Sequence, residues 1–241
     1  MSESVLHPLA LSGLPQCRRY AALIAFNRCP SRYLHPSWHT EFAAADLARY
    51  LCDGAYAHTL LSDFILEKTG LIDISDADMQ HPAVQIGMHL NARELQALAY
   101  RLALILLGQP IRSAISKASV AAWHAALGGS LHHFACKHAP LLGGAHYREL
   151  PAWQVASICP ENITEQALAI GFQFLNIGSH VLDPAIGQRL RFKLPREIAQ
   201  QENLTIDTDH YLEVWTWIYR VWNSTPMRAS PSCIPVLAAC R

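Results

Sequence analysis

NARELQALAYRLALILLGQPIRSAISKASVAAWHAALGGSLHHFACKHAPLL, from Asn91 to Leu142, is the stretch on which the reading of this chain turns. Leu95, Leu98, Ala99, Leu102, Ile105 and Leu106 recur at steps of three and four, the period of one helical face. Leu104 and Leu107 widen that face until only Arg93, Glu94, Ala97, Tyr100 and Arg101 remain for a polar side. A helix this apolar is expected at the centre of the fold. Asn91 with Glu94 makes the capping-box pattern at its start, and Gly108 followed by Pro110 is expected to close it.

A second helix is expected from about Pro110 to Leu127. Ile111, Ala114, Ile115, Ala118, Ala122 and Ala125 form one small-residue face, and Val120, Trp123 and Leu127 form another. Alanines let helix axes approach closely, so this helix should lie antiparallel against the first as a buried hairpin. Gly128-Gly129 breaks it, and a third short helix carries Leu131, Phe134 and Ala135 up to Pro140. The expectation is an all-α fold, an irregular multi-helix domain around that central hairpin.

Working outward, the same arguments place further elements. Tyr20 to Phe26 is ambiguous between helix and strand. Prolines 30 and 36 set an extended turn, with Ser37 placed to cap a helix that begins near Trp38 and carries Phe42, Leu47, Tyr50 and Leu51. Asp53-Gly54 is expected to kink or end it. A helix through Leu60, Leu61, Phe64 and Ile65 stops at Gly70, and residues 71–90 read as a connecting segment. Residues 143–161 read as irregular, and Asn162 with Glu165 repeats the capping signature ahead of Ala167, Ile170, Phe174 and Ile177. Pro184 suits a first helical position and opens a stretch with Ile186, Leu190, Phe192 and Leu194 on one side and Arg189, Arg191 and Lys193 on the other. A last helix, about Asp209 to Asn223, carries the stripe Tyr211, Trp215, Ile218, Tyr219 and Trp222, with Trp217 off it. The division expected is a loose arm over 1–19, one helical domain over 20–223 (20–90 as a possible lobe) and a mobile tail over 224–241.

Composition narrows the function classes. Of 241 residues, 51% are hydrophobic and 16% charged, with a formal net charge of zero. That balance argues against disorder and against a nucleic-acid binder, which needs a basic excess to neutralise phosphates. A surface of so little charge fits a protein that lives in an assembly. The seven cysteines are scattered with no C-x-x-C pair, which speaks against a disulfide framework or a four-cysteine zinc site. No charged-then-apolar leader stands at the N-terminus, so the three N-glycosylation patterns at Asn162, Asn203 and Asn223 are read as chance. The longest uncharged run, Gln166 to Leu182, falls short of the roughly 20 apolar residues of a bilayer span. A reduced, cytoplasmic protein is expected.

Chemistry-bearing constellations are few. Asp73, Asp76 and Asp78 suggest a calcium loop, yet its spacing and closing Glu are missing. His132 and Cys136, four apart, could face one metal, but a structural zinc needs two more ligands. There is no G-x-S-x-G, no H-E-x-x-H, no phosphate-cradling glycine loop and no G-x-G-x-x-G, so neither an enzyme nor a cofactor is expected. Trp and Tyr are favoured interface anchors. The candidates for partner contact are therefore Arg28, Arg32 and Trp38 near the proline turn, then Arg189, Arg191, Lys193 and Trp217.

Four segments in order, AFNRCPSRYLHPSW, YRLALILLGQPIR, HAPLLGG and ALAIGFQFLNIGSHVLDPAIGQRLRFKLP, carry a resemblance to a known family. Cys29, Pro30, Tyr33, Leu34 and His35 match an early C-P-x-x-Y-L-H. Arg101, Leu102, Leu104, Leu106, Gly108, Ile111 and Arg112 match a central R-L-x-L-x-L-x-G-x-x-I-R. Arg189, Leu190, Leu194 and Pro195 match a late R-L-x-x-x-L-P. Over roughly residues 20–200 the chain resembles the SctK, or YscK-like, family of type III secretion. The resemblance implies a non-enzymatic adaptor of the injectisome's cytoplasmic sorting platform, at the inner-membrane face. It would link the pod protein SctQ to the forkhead-associated-like cytoplasmic domain of the ring protein SctD, with the stalk protein SctL and the ATPase as indirect partners. A helical chaperone for secreted substrates is the alternative, followed by a small metal-binding helical protein.

Overall fold

Asn91 Oδ1 accepts from Glu94 N at 3.0 Å and Glu94 Oε2 accepts from Asn91 N at 2.9 Å. This capping box starts the longest helix of the computed structural model, which describes residues 16–42, 55–75, 78, 80–143, 158–180, 182–201 and 211–224. In chain order the helices are α1 Gln16–Arg28, α2 His39–Phe42, α3 Ala55–Thr69, α4 Pro82–His89, α5 Ala92–Arg112, α6 Lys117–His133, α7 Ala139–Gly143, α8 Ile163–His180, α9 Pro184–Phe192, α10 Arg196–Ala199 and α11 Tyr211–Asn223. Short 3-10 turns occupy Pro30–Arg32 and Pro36–Trp38, and a π-helical stretch, Phe134–His138, joins α6 to α7. Among the described residues there is no strand, so the protein is all-α.

α5 is central, as its apolar width demands: Leu98, Ala99, Leu102, Ala103, Leu104 and Ile105 are all buried. Its principal partner is α8, however, and it touches α6 far less. The reason is local. A Cβ placed on Gly171 of α8 would sit 2.0 Å from Ala99 O, so the two backbones cross in contact at a point where only glycine fits. The expected α5–α6 hairpin is thereby corrected to an α5–α8 pair. α6 buries only Trp123 and Leu127, while Ala118, Ala122 and Ala125 are exposed and Ile115 is 95% exposed. The small-residue face read as a buried seam looks to solvent.

Other expectations shift by less. α5 runs through Pro110 to Arg112 instead of stopping at Gly108. α6 begins at Lys117, capped by Ser116, and bends where expected, at Gly128 with φ 73° and ψ 161°. Tyr20 to Phe26 lies within α1. The connecting segment contains α4, opened by Pro82 and capped by His81, whose Nδ1 accepts from Ala83 N at 3.1 Å. The turn ahead of α2 is capped by His35 in the same way, and Ser37 Oγ instead accepts from Arg196 N at 2.8 Å. Leu47, Tyr50, Leu51 and Asp53-Gly54 lie outside the described residues. A single buried cluster takes side chains from all of these helices, α1 to α11, and from the π-helical stretch.

Candidate functional site

The early and late motif segments, more than 150 residues apart, meet in the fold. His35 N donates to Phe192 O at 2.7 Å, and Trp38 Nε1 donates to Leu194 O at 2.9 Å. Trp38, Phe42 and Phe192 then pack ring against ring, Trp38 and Phe42 each edge-on to Phe192 at 5.4 and 5.6 Å. Asn27 fastens the loop after α3 from the other side: Nδ2 donates to Ile74 O at 3.0 Å and Oδ1 accepts from Ile74 N at 3.1 Å.

Arg189 is the pin through this junction. It is completely buried; Nη1 donates to Ile72 O at 2.9 Å and Ala185 O at 3.0 Å, and Nη2 donates to Asn27 O at 3.2 Å. Its Nε has no acceptor among the described residues. Burial lowers its pKa, while the neighbouring Tyr33 and Asp73 act in the opposite direction. Lys193 is buried as well. Its Nζ donates to Leu90 O at 2.6 Å and lies 5.3 Å from the Tyr33 ring centre and 5.8 Å from that of Phe26. Burial pushes the Lys193 ammonium down to about 8, with Glu94 pulling the other way. Burial likewise raises the Tyr33 phenol, which donates to Phe26 O at 2.8 Å.

The placing of Arg189, Arg191 and Lys193 on a side away from the apolar residues is therefore corrected for two of the three. The spacing already held the answer: Ile186, Arg189, Leu190, Lys193 and Leu194 fall at helical steps on one side, so both cations share the apolar face. Trp38 and Trp217 are also buried, Trp217 donating through Nε1 to Leu142 O at 2.7 Å and tilted against Phe174. In the central motif, Arg112 Nη1 donates to Ala135 O at 3.2 Å, and the Arg101 guanidinium lies 5.9 Å from the Phe134 ring centre. The motif cations hold the helices to one another.

Three candidates reach the outside. Arg28 pairs with Asp73, both well exposed, and Arg32 is exposed. Arg191 is half-buried; its Nε donates to Gln188 Oε1 at 3.1 Å and its Nη1 to His180 Nδ1 at 3.0 Å. Arg191 and Gln188 line an open groove of about 540 Å³ together with Thr69 to Ile72 and Asp183 to Ala185. Ile72, in its lining, is 71% exposed.

Of the metal candidates, His132 Nε2 lies 3.9 Å from Cys136 Sγ, and the His124 and His132 rings stand 5.5 Å apart. Among the described residues, no three His, Cys, Asp or Glu side chains converge on a point that could hold an ion. Asp73 is turned to Arg28 and Asp78 Oδ2 accepts from Ser75 Oγ at 2.6 Å, while Asp76 lies outside the described residues. No helix among the described residues is long and apolar enough to cross a membrane.

The geometry is that of a helical scaffold whose motif residues tie its own elements together. A family model described as YOP proteins translocation protein K (YscK) matches residues 21–214, from α1 into α11. The chain belongs to the YscK family, a structural component of type III secretion with partners in the injectisome. No curated protein and no solved structure matches it.

Proposed function

We propose that this protein is a non-enzymatic adaptor of the injectisome's cytoplasmic sorting platform, joining the pod protein SctQ to the cytoplasmic domain of SctD at the inner-membrane face. The supporting observation is the family match over most of the chain, taken with motif cations that are spent on the protein's own carbonyls. An adaptor built this way works through its outside. Of the seven contact candidates, Arg28, Arg32 and Arg191 are the ones a partner can reach, and Arg191 faces the groove beside Ile72. Trp38, Arg189, Lys193 and Trp217 are buried.

The test is paired pull-down with purified SctQ and the SctD cytoplasmic domain, using Arg28→Glu, Arg32→Glu and Arg191→Glu. At least one substitution is expected to weaken one partner by about tenfold while leaving the other partner and the thermal melt unchanged. Retention of both partners by all three variants removes this face from the assembly. A chaperone for secreted substrates would instead co-purify from cells with an exported protein and without SctD or SctQ.

A further inference from the structure

Two helical turns in this protein open in the same way. His35 precedes Pro36 and His81 precedes Pro82, and the two histidines share nearly one backbone conformation, φ −64° with ψ 139° at His35 and φ −65° with ψ 129° at His81. Proline at the first helical position has no N–H, so the first donor left bare is that of the next residue. In both turns an imidazole takes it: His35 Nδ1 accepts from Ser37 N at 3.3 Å, and His81 Nδ1 accepts from Ala83 N at 3.1 Å. A serine or asparagine oxygen is the ordinary acceptor in this place and serves at any pH. An imidazole serves only while Nδ1 carries no proton.

Both caps lie at seams between elements. With Ser37 N–H directed at it, His35 Nδ1 is unprotonated; the Ser37 hydroxyl, 2.8 Å away, donates to it and accepts from Arg196 N at 2.8 Å. Ring, hydroxyl and α10 amide thus form one chain across the junction where Trp38 Nε1 holds Leu194 O. The His81 ring stands edge-on to Trp215 of α11 at 6.2 Å, and the helix it caps buries Ala83, Val84 and Ile86. Among the described residues, Glu197 of α10 favours a proton on His35 and His39 of α2 opposes it, while Arg196 is paired with Glu41. Asp78, in the turn before α4, favours a proton on His81. Burial outweighs both carboxylates and lowers both pKa values, and the positive end of a helical turn opposes imidazolium as well.

We infer that His35 and His81 form a paired acid latch: a proton on either Nδ1 turns the cap acceptor into a donor facing a backbone N–H, and the Pro36–Trp38 turn and α4 loosen against α9, α10 and α11 while the α5–α8 pair stays closed. The latch acts on the protein's own seams and does not rest on the adaptor reading. Its direction follows from linkage. A loosened segment holds its histidine at the ordinary value, so below that value opening takes up a proton. Each ring can then raise the opening equilibrium by at most about tenfold per pH unit, until the lowered folded-state value is passed.

The experiment follows the full chain between about pH 7.5 and 5 by two measurements. Imidazole nitrogen resonances are expected to show Nδ1 of both rings unprotonated at the upper end, with midpoints below the ordinary histidine value. Amide exchange, corrected for its intrinsic pH dependence, is expected to show protection over residues 37–42 and 83–89 falling by about tenfold or more relative to α5 and α8. His35→Asn/His81→Asn puts an amide oxygen where each Nδ1 stands, which keeps the cap, removes the titration and should hold protection level across the range. Each single substitution should level its own segment and leave the fall in the other, so the test survives if the pair does not fold. Three results overturn the inference: Asn variants that lose protection as the parent does, rings that titrate at or above the ordinary value, or an equal loss in α5 and α8 at the same pH.

Discussion

Three carbonyl oxygens, from Asn27, Ile72 and Ala185, surround the Arg189 guanidinium, and no carboxylate among its hydrogen-bond partners neutralises it. Arg189→Met would leave these acceptors unpaired in a dry interior, and the expected cost is about 3–5 kcal/mol, read as a lower urea midpoint at unchanged slope. Arg189→Glu would place an anion among carbonyl oxygens and should prevent folding, so it reports on stability and not on partner binding. Lys193 gives a pH signature. Its folded-state pKa is lowered to about 8, so above that pH the unfolded chain binds more protons than the folded one and stability rises with pH. Between pH 8 and 10 the gain should be about 2 kcal/mol, and Lys193→Met should flatten it. Above pH 10 the raised Tyr33 phenol works in the opposite sense, because the unfolded chain then loses its proton first. His35 and His81 govern the acid side. Each ring accepts a backbone N–H as a helix cap and each has its pKa lowered, mainly by burial, so stability is expected to fall as pH drops through the ordinary histidine range. A melting series over about pH 5 to 11 checks all of this.

At the scale of elements, the α5–α8 crossing at Ala99 and Gly171 decides the arrangement. Gly171→Ala would drive a methyl into Ala99 O, and since the obstacle is backbone it cannot swing aside. The helices must separate, at an expected cost of about 3 kcal/mol or more by thermal melt. Gly187 stands in the same relation to Ser179 O, at 2.2 Å, where α9 folds back on the end of α8. By contrast Gly128 has open space around its missing Cβ, and its φ of 73° with extended ψ is the whole constraint. Gly128→Ala should cost only about 1–2 kcal/mol, and its effect should be on the bend of α6. Helix existence was readable for α5 and α8, where a long apolar period and a capping pattern coincide, for α11 from its aromatic stripe, and for the short α9 from Pro184 and its apolar spacing. It was not readable for α4: eight residues are too few for a period to declare itself, and Pro82 was its one mark.

For the whole molecule, burial of motif-segment cations takes part of the chain's positive charge off its surface. Arg189 and Lys193 are internal ties, the junction of the early and late motif segments is sealed by Trp38, Phe42 and Phe192, and the α3–α9 groove is left open to the outside. Disruption of the seal should therefore act on both partner contacts together. Trp38→Ala is expected to destabilise by about 3–5 kcal/mol, and, on the adaptor function proposed above, to lose SctQ and SctD in parallel, whereas Arg191→Glu should leave the fold intact.

The sequence by itself determined the all-α class, the apolar central helix with its capping box and the order of family motifs, because periodicity, capping and spacing are local and survive without a partner. Only the tertiary structure decided that α8 and not α6 covers α5, that two cations of a motif point inward, and that a row of alanines is left bare. Those outcomes depend on which backbone can approach which, and a single glycine opposite a single carbonyl settled it.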